Sequence, residues 1–426
     1  MCAGRAGIAA GRRYRRADSI APHGDRGRYR DRADGGAGTD RTGDPGAGGP
    51  NGVTAPHDDP AAAPRTSDAP HTSDAPISRI TALRRRPVST QGNAVRRPRV
   101  LRRYAAVAVC IALPLVAIWA LTLGDIPIPV PDAAAAALGR GAPGDVLVVQ
   151  QWRAPRVLAA LVVGAALALS GALLQALLRN PLAAPDVLGV TDAAALCLVL
   201  ATVAGLPAVA LPPAAFAGAL LAAGALVLLT HRRGLAEETT VLVGIGLHAV
   251  FAAATLFLVV RFPVEVAQQT VRWTVGTLYA SAWPQAGIGL AVLAVLTPVA
   301  LLLTRRLAVL QLGVDLATGL GLSVRRTRLA VTAVAVALAA VAVAIGGPVS
   351  FVALAVPQAA RRLAGPLGVH TLLLSAGLGA LVVLAADIAA QHAFAVVLPV
   401  GAITATVGAP IFLWLLLRSP RRRGAK

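Results

Sequence analysis

The sequence predicts an all-α polytopic membrane protein with about ten transmembrane helices, preceded by a disordered N-terminal tail. Hydrophobic residues make up 56% of the 426 residues and charged residues only 14%, which is less charge than a soluble domain usually carries. Apolar segments of about 20 residues, the length that crosses a bilayer, recur along the chain. The loops between them alternate between many and few basic residues, as loops on the two sides of a membrane do.

The first 101 residues differ in composition from the rest of the chain. They are rich in Gly, Pro, Asp, Arg and Ala, and the unit Thr-Ser-Asp-Ala-Pro occurs at Thr66–Pro70 and again at Thr72–Pro76. Because such a segment buries too little apolar surface to offset the entropy cost of ordering, we expect it to be disordered. The sequence therefore divides into a basic cytoplasmic tail, residues 1–101, and a transmembrane domain, residues 102–426.

The net charge of +20 raises the question of what the basic residues bind. An arginine cluster that includes Arg96, Arg97 and Arg99 stands just before the first apolar segment, where it can contact anionic lipid. From Arg102 onward, basic residues lie almost only between apolar segments, where they orient a membrane protein. We therefore expect membrane lipid as a partner and no nucleic acid.

Ten apolar segments make up the transmembrane domain. Pro and Gly interrupt the third, eighth and tenth of them, and membrane helices tolerate these residues where neighbouring helices satisfy the freed backbone groups. The segments lie near residues 104–123, 155–178, 188–205, 208–230, 239–260, 284–304, 328–346, 349–364, 371–390 and 395–417.

The distribution of basic residues predicts the orientation. If the N-terminus lies inside and the spans alternate, 17 Arg and Lys residues from Arg102 onward are cytoplasmic and five lie outside. This bias favours ten spans with both termini in the cytoplasm. The outside set is Arg140, Arg153, Arg156, Arg261 and Arg272.

The apolar segments are rich in Ala, Gly and Ser, which let helix backbones approach closely, so we expect a tightly packed bundle. Ionisable residues are scarce in them, the main one being Asp387 in the ninth segment. A proton-coupled transporter usually needs buried carboxylates or histidines along its path. His248 in the fifth segment is more typical of a hydrogen bond between helices than of a proton relay. An ion-driven secondary transporter is therefore the less favoured alternative.

Three stretches carry a resemblance to one known family. They are Gln151–Val190, which contains LRNPLAAPDVLGV; Leu310–Gly321, which reads LQLGVDLATGLG; and Ile345–Leu417, which contains GGPVSFVALAVPQAARRLAG. A weaker similarity lies at Trp273–Leu278. In this order, over roughly residues 104–418, they resemble the permease family of iron–siderophore, haem and cobalamin ABC importers, the FecCD type.

The resemblance implies a fold, partners and a mechanism. Members resemble a ten-helix subunit of the type II importer kind, which pairs with an identical copy or a sister permease around a central path. Two cytoplasmic ATPase subunits and an extracytoplasmic substrate-binding protein complete the complex, and transport proceeds by alternating access. The sequence has no Gly-x-x-x-x-Gly-Lys-Ser/Thr loop of its own, so we expect ATP hydrolysis on a partner chain. We expect no cofactor and no bound metal, and ferric siderophore as ligand, with haem and cobalamin as alternatives.

The resemblance also assigns a docking role to two arginines. Arg153 and Arg156 bracket Ala154-Pro155 at the outer mouth of the second span, where family arginines receive glutamates of the binding protein. The planar guanidinium can hold a carboxylate through two hydrogen bonds. Anchoring of the helix end is the structural alternative. The family usually has a third arginine after the Ala-Asp pair of the ninth span, where this chain has Gln391.

The loop after the sixth span resembles the part of the family that contacts the ATPase. Short helices there fit a cleft of the ATPase, and an ordinary cytoplasmic turn is the alternative. The residues concerned are Leu312, Gly313, Asp315, Ala317, Leu320 and Gly321.

Two further motifs are predicted to be structural, with a possible gating role. Their prolines fix φ and stop helices, and Asn can bond to nearby backbone groups. After the second proline of the later motif the family usually has His, whereas this chain has Gln358. The residues are Asn180, Pro181, Leu182, Ala183, Pro185 and Gly189 between spans two and three, and Gly347, Pro348 and Pro357 around span eight.

A membrane enzyme is a third class to consider. It would need a metal-binding His-Glu-x-x-His motif or a Ser/Lys pair in the bilayer, and the sequence has neither arrangement. A permease without catalytic residues is therefore the favoured interpretation.

Overall fold

The computed structural model describes residues 97–230, 237–262, 274–279 and 281–417. Most of the predicted tail lies outside these ranges, so its disorder stays a prediction. The first helix already begins at Arg97, inside the stretch assigned to the tail. The basic residues Arg102 and Arg103 therefore lie within a continuous helix that leads into the first span.

The described ranges are helical and contain no strand. A π-helical turn, Val148–Arg153, joins α3 to α4, and short 3-10 turns lie at Asp186–Leu188 and Ala208–Ala210. The helices are α1 (Arg97–Thr122), α2 (Val130–Ala137), α3 (Pro143–Leu147), α4 (Ala154–Leu177), α5 (Val190–Val203), α6 (Leu211–Thr230), α7 (Glu237–Arg261), α8 (Trp283–Leu310), α9 (Val314–Gly319), α10 (Val324–Gly346), α11 (Val352–Ala364), α12 (Val369–His392) and α13 (Val400–Leu417).

Each predicted span contains one of these helices, and seven are long and apolar enough to cross a membrane. These seven are α1, the continuous stretch that ends in α4, α6, α7, α8, α10 and α12. The other three, α5, α11 and α13, lie in the segments that Pro and Gly interrupt. With 14 and 13 residues, α5 and α11 extend about 20 Å each, which is shorter than a hydrocarbon core of about 30 Å.

The helix α4 lies at the centre of the bundle and packs against α8, α10, α11 and α12. The most apolar window of its span is 78% buried, against 6% for α7. Leu167, Leu169 and Leu173 on α4 are among the largest side chains that are fully buried. The bundle is therefore organised around α4, and among the long helices in the described ranges α1 and α7 are the least covered by the others.

Small residues allow the close packing around α4. A Cβ atom placed on Gly164 would lie 2.1 Å from the Gly379 carbonyl oxygen of α12. A Cβ atom placed on Gly171 would lie 1.8 Å from the Ala353 carbonyl oxygen of α11. Both distances are shorter than any non-bonded contact, so only glycine fits. The tight bundle predicted from the small residues is present at these two crossings.

The π turn before α4 leaves one carbonyl without a backbone partner. The N–H of Ala154 donates to the Val149 carbonyl across this widened turn, but Pro155, the next residue, has no N–H to give to Gln150. The indole Nε1–H of Trp283, at the start of α8, donates to the Gln150 oxygen instead, at 2.6 Å. This bond places the first residues of α8 beside the start of α4.

Candidate functional site

At the first residues of α4, Arg156 forms a bidentate ion pair with Asp387 of α12. Its Nε and Nη2 atoms donate to Oδ2 and Oδ1 of the carboxylate, each at 2.9 Å. The Arg156 side chain is 15% exposed and that of Asp387 only 4%. A carboxylate so deeply buried needs its charge balanced, so the pair fixes the C-terminal end of α12 against the start of α4.

Two further side chains complete the surroundings of this ion pair. The Gln391 amide, one turn after Asp387, donates to Oδ2 at 2.9 Å. The Tyr279 ring lies 5.8 Å from the guanidinium carbon of Arg156, within the range of a cation–π contact. Gln391 therefore binds the same carboxylate as Arg156 and adds no charge of its own.

Arg153 has different partners. Its Nη1 atom donates to the Leu121 carbonyl at 2.8 Å and its Nη2 atom to the Ile126 carbonyl at 2.5 Å. It thereby closes the C-terminal end of α1 and the turn that follows, over Gly124. The two predicted docking arginines are thus both half-buried and both engaged within the chain. Their role in docking stays a prediction, and the structural alternative has a clear physical basis.

A large apolar cavity lies near the same end of the bundle. Its volume is about 1160 Å³, slightly more than a pocket for a drug-sized ligand usually has. Its walls come from α6, α8, α10 and the segments before α8 and α13, and include Phe216, Tyr279, Ile345 and Leu398. Ser281 also lines it, and its Oγ has no hydrogen-bond partner within the described part of the chain. The cavity can hold apolar groups and offers little polar recognition.

The other end of α4 leads into the connection to α5, residues 178–189. With 24 residues α4 extends about 36 Å, so this connection and the Arg156–Asp387 pair lie at opposite ends of the bundle. Nη2 of Arg179 donates to the Leu310 carbonyl, at the last residue of α8, at 2.7 Å. The Asn180 side chain accepts a bond from the Leu182 N–H at 2.9 Å, which shapes the turn as predicted for Asn.

The same connection is bonded to α11. The Gln358 amide donates to the Pro181 carbonyl at 2.8 Å. One helical turn away, Arg361 contacts Gln175 of α4, whose own amide donates to the Ala353 and Leu354 carbonyls. Gln358 therefore links α11 to the motif that follows α4.

The last residues of the connection support α7. Gly189 has φ +74°, a left-handed conformation that favours glycine. A Cβ atom there would lie 2.8 Å from the backbone nitrogen of His248. The His248 ring contacts the Asp192 carboxylate of α5, with 2.6 Å between Nδ1 and Oδ2. His248 is thus a hydrogen-bond partner between helices, as the sequence suggested, whereas Asp192 was overlooked as a partner.

Asp186, in the 3-10 turn before α5, has an altered acidity. Burial raises the pKa of its carboxyl to about 6 from an ordinary 3.8, and the nearby Asp192 carboxylate adds to the rise. A hydrogen bond with Thr191 and the proximity of His248 act in the opposite direction. In the folded protein the carboxyl therefore holds its proton more tightly than in the unfolded chain, so folding becomes less favourable as the pH rises from 3.8 to about 6.

Replacing Asp186 with asparagine is therefore expected to raise the melting temperature at pH 7.5, because the amide needs no ionisation in this turn. The gain over the native protein should shrink as the pH falls below about 5, where the native carboxyl is protonated. Thermal unfolding of the detergent-purified protein between pH 4.5 and 8 measures this. Asp132→Asn, at an exposed site on α2, is the control. A gain that does not change with pH would contradict the prediction.

The turn after α8 contains the short helix that was predicted there, α9. Ala317 is fully buried and holds α9 against the bundle. Gly313 precedes α9 with φ +119°, Asp315 lies in its first turn, and Gly321 follows with φ +78°. Four apolar side chains project outward from this turn with exposed fractions between 45% and 68%, and they are Leu312, Val314, Leu316 and Leu320. Val314 and Leu316 were not among the predicted residues, although their spacing around Leu312 and Leu320 could have indicated them.

The residues Gly347, Pro348 and Pro357 lie around α11, and their structural role stays a prediction. Gly347 ends α10 with φ +68°. The Pro348 carbonyl lies so close to Gly276 that a Cβ atom there would be 2.5 Å from it. Pro357 is buried inside α11. Of the earlier motif, Ala183 and Pro185 are buried while Pro181 and Leu182 are exposed.

Comparison with known proteins places these features in a family. The model of the FecCD transport family matches residues 111–418, which includes both ends of the bundle described above. The ferric enterobactin transport system permease protein FepG of Escherichia coli (strain K12) is 36% identical over 308 residues, covering 72% of this chain and 93% of that protein.

Two more relatives extend the range of ligands. The Fe(3+) dicitrate transport system permease protein FecD of Escherichia coli (strain K12) is 38% identical, with 74% of this chain and 98% of that protein covered. The cobalamin import system permease protein BtuC of Halobacterium salinarum is 38% identical, with 63% and 73% covered. A solved chain, described as the inward-facing conformation of a metal-chelate type ABC transporter, has a TM-score of 0.68 at 29% identity. That match covers 76% of this chain and all of the other.

Proposed function

Because the chain belongs to the FecCD transport family, we propose that it carries a ferric siderophore, or a similar iron chelate, through the cytoplasmic membrane as the permease subunit of an ATP-driven importer. The observation that carries the proposal is the match over residues 111–418, which runs from the middle of α1 to the end of α13. Relatives named for ferric enterobactin and Fe(3+) dicitrate support an iron chelate as ligand. A cobalamin permease at similar identity keeps cobalamin as the second candidate.

The turn around α9 is the proposed docking site for the ATPase. A short helix with exposed leucines outside the spans is costly in water, so a partner that covers it is a physical expectation. Buried Ala317 fixes α9 to the bundle, so the turn can act as a rigid contact surface. In a permease dimer each of two ATPase subunits would bind one such turn. The ATPase subunits would also hydrolyse the ATP, for which this chain has no phosphate-binding loop.

The orientation follows from the same assignment. With α9 in the cytoplasm, the Arg179 end of α4 is cytoplasmic and the Arg156 end faces outside, and both termini lie inside. The bias of 17 cytoplasmic basic residues against five outside supports this arrangement. The arginines at the start of α1 then lie at the cytoplasmic leaflet, where anionic lipid attracts them.

The outer end is the proposed docking site for the substrate-binding protein. Arg153 and Arg156 remain the basic groups best placed there, and each keeps part of its guanidinium exposed while bonded within the chain. A carboxylate on the binding protein would compete with Asp387 for Arg156, or bind beside it. The second permease, an identical copy or a sister chain, would cover the exposed apolar helices and complete the path. Alternating access between the two sides is the proposed mechanism.

Uptake of a radiolabelled ferric siderophore tests the proposal. Cells that lack the gene should lose uptake, and the native gene should restore it. Leu320→Glu, at the exposed turn, should reach the membrane in native amount yet restore less than about a tenth of the uptake, because a charge at a desolvated contact costs several kcal/mol. Leu320→Met, which keeps the side chain apolar, is the matched control and should restore uptake.

Two outcomes would contradict these assignments separately. If deletion leaves siderophore uptake unchanged while cobalamin uptake falls, the ligand is wrong and the permease role stands. If Leu320→Glu restores full uptake, the turn around α9 is not the ATPase contact.

A further inference from the structure

We propose that the connection between α4 and α5, residues 178–189, transmits movement of the α8–α10 turn to α7, and that Arg179 is the positioning residue that ties the connection to that turn. The inference rests on the proposed function, because it assumes that the turn around α9 binds the ATPase. It adds a route within the subunit, and it follows from three contacts of the connection with different helices.

The first contact joins the connection to the end of α8. Arg179 donates to the Leu310 carbonyl at 2.7 Å, and Leu310 is the last residue of α8 before the turn. The carbonyls at a helix C-terminus carry partial negative charge, so a guanidinium there is stabilised. Leu310 is 3% exposed, so little water competes for this carbonyl. Arg179 has the unusual φ of +45° for a residue other than glycine, which indicates that the surrounding contacts hold its backbone in place.

The second contact holds the connection at its middle. The Gln358 amide donates to the Pro181 carbonyl at 2.8 Å. Since α11 packs directly on α4, this bond links the connection to the central part of the bundle. A shift of the turn after α8 therefore displaces the two ends of the connection about a point that is fixed.

The third contact joins the connection to α7. A Cβ atom placed on Gly244 would lie 3.1 Å from Cα of Leu188, and one placed on Gly189 would lie 2.8 Å from the His248 nitrogen. Backbones this close cannot move independently, because no flexible side chain separates them. The Asp192–His248 contact, at 2.6 Å, adds a polar tie one turn further along α5.

The helix α7 is free to respond to the connection. Only 6% of its most apolar window is buried by the rest of the subunit, against 78% for α4 and α10. Outward-facing residues such as Val250, Phe257 and Val260 are more than 60% exposed. The connection meets α7 near Gly244 and His248, close to the middle of that helix. A displacement there moves α7, including its exposed face, relative to the central helices.

A purely structural role for Arg179 makes a different prediction. If Arg179 only caps α8, its loss should lower stability and leave the coupling between ATP hydrolysis and helix movement intact. If it transmits movement, its loss should separate the two, with ATP hydrolysis continuing while α7 no longer responds.

The experiment uses the complete complex of permeases and ATPase subunits in liposomes, with a spin label on Val250→Cys in a background that lacks the other cysteines. In otherwise native protein, ATP with vanadate should change the mobility or distance signal of the label. In Arg179→Ala that change should fall at least about fivefold while basal ATP hydrolysis stays within about twofold. Arg179→Lys, which keeps a charged donor, should recover part of the response.

The controls separate folding from transmission. Arg140→Ala, at an exposed site on the opposite end, should behave as native. If Arg179→Ala accumulates poorly, Arg179→Met is used, because it keeps the apolar stem of the side chain and removes the donor to the Leu310 carbonyl. An unchanged α7 response in Arg179→Ala, or in Arg179→Met where it is used instead, overturns the inference. If the native complex gives no response to ATP at all, the proposed function fails and the inference with it.

Discussion

Replacing Arg156 with glutamate is expected to destabilise the protein by about 3–5 kcal/mol, the usual cost of breaking a buried ion pair by removing one partner. The Asp387 carboxylate is only 4% exposed and would face a second carboxylate in place of two hydrogen bonds at 2.9 Å. Thermal unfolding in detergent should show a large fall in melting temperature, and the amount of protein in the membrane should drop with it.

Reversing both charges of the pair distinguishes an ion-pair role of Arg156 from a role in docking the binding protein. Arg156→Asp combined with Asp387→Arg should regain much of the stability lost in Arg156→Glu, since the opposite charges again face each other. If Arg156 also docks the binding protein, this double variant should remain deficient in uptake at normal membrane levels. Full uptake by the double variant would show that the ion pair is the whole role of Arg156, and a single variant as stable as native would refute the buried pair itself.

The second large effect is expected at Gly171. Valine there would place a Cβ atom 1.8 Å from the Ala353 carbonyl oxygen, and because that atom is backbone, the contact can be relieved only by moving α11 away from α4. Inserting atoms into a packed core typically costs about 1–3 kcal/mol, and more where backbone must shift. We expect Gly171→Val to prevent accumulation of folded protein in the membrane.

Gly224→Val on α6 is the matched control, since nothing lies within 4 Å of a Cβ atom at that position. Both substitutions change the same residue type within a helix, so propensity cancels in the comparison. Limited proteolysis and membrane yield report the outcome. Equal yields for the two variants would mean that α4 and α11 do not cross as closely as the structure has them.

The spans were largely predictable because their physical cause is local. A run of apolar residues long enough to cross a bilayer is visible in the sequence itself. The three segments interrupted by Pro and Gly are those with the shorter helices, of 14 residues in α5, 13 in α11 and 18 in α13. The short helix α9 was likewise expected, from a resemblance, whereas its role as a contact surface stays a prediction.

The side-chain partners were not predictable in the same way. Arg156 and Asp387 are 231 residues apart in the chain, and no local pattern indicates that α12 returns beside the start of α4. Asp192 and His248 are 56 residues apart, and they meet because α7 packs closely against Gly189 at the start of α5. The sequence-based interpretation of Arg153 and Arg156 as docking groups missed their partners within the chain, because a sequence shows the charge of an arginine and not the groups that it already binds.

The widened turn at Val148–Arg153 has a consequence for how the two arginines came to differ. In a regular α-helix, residues three apart lie on one face, yet Arg153 points to the end of α1 and Arg156 to α12. The π-helical turn contains one residue more than an α-helical turn, which rotates the preceding segment relative to α4. Arg153 and Arg156, although close in sequence, therefore contact different helices. Arg153 can hold the end of α1 while Arg156, on the next turn, holds α12, and neither guanidinium competes for the partner of the other.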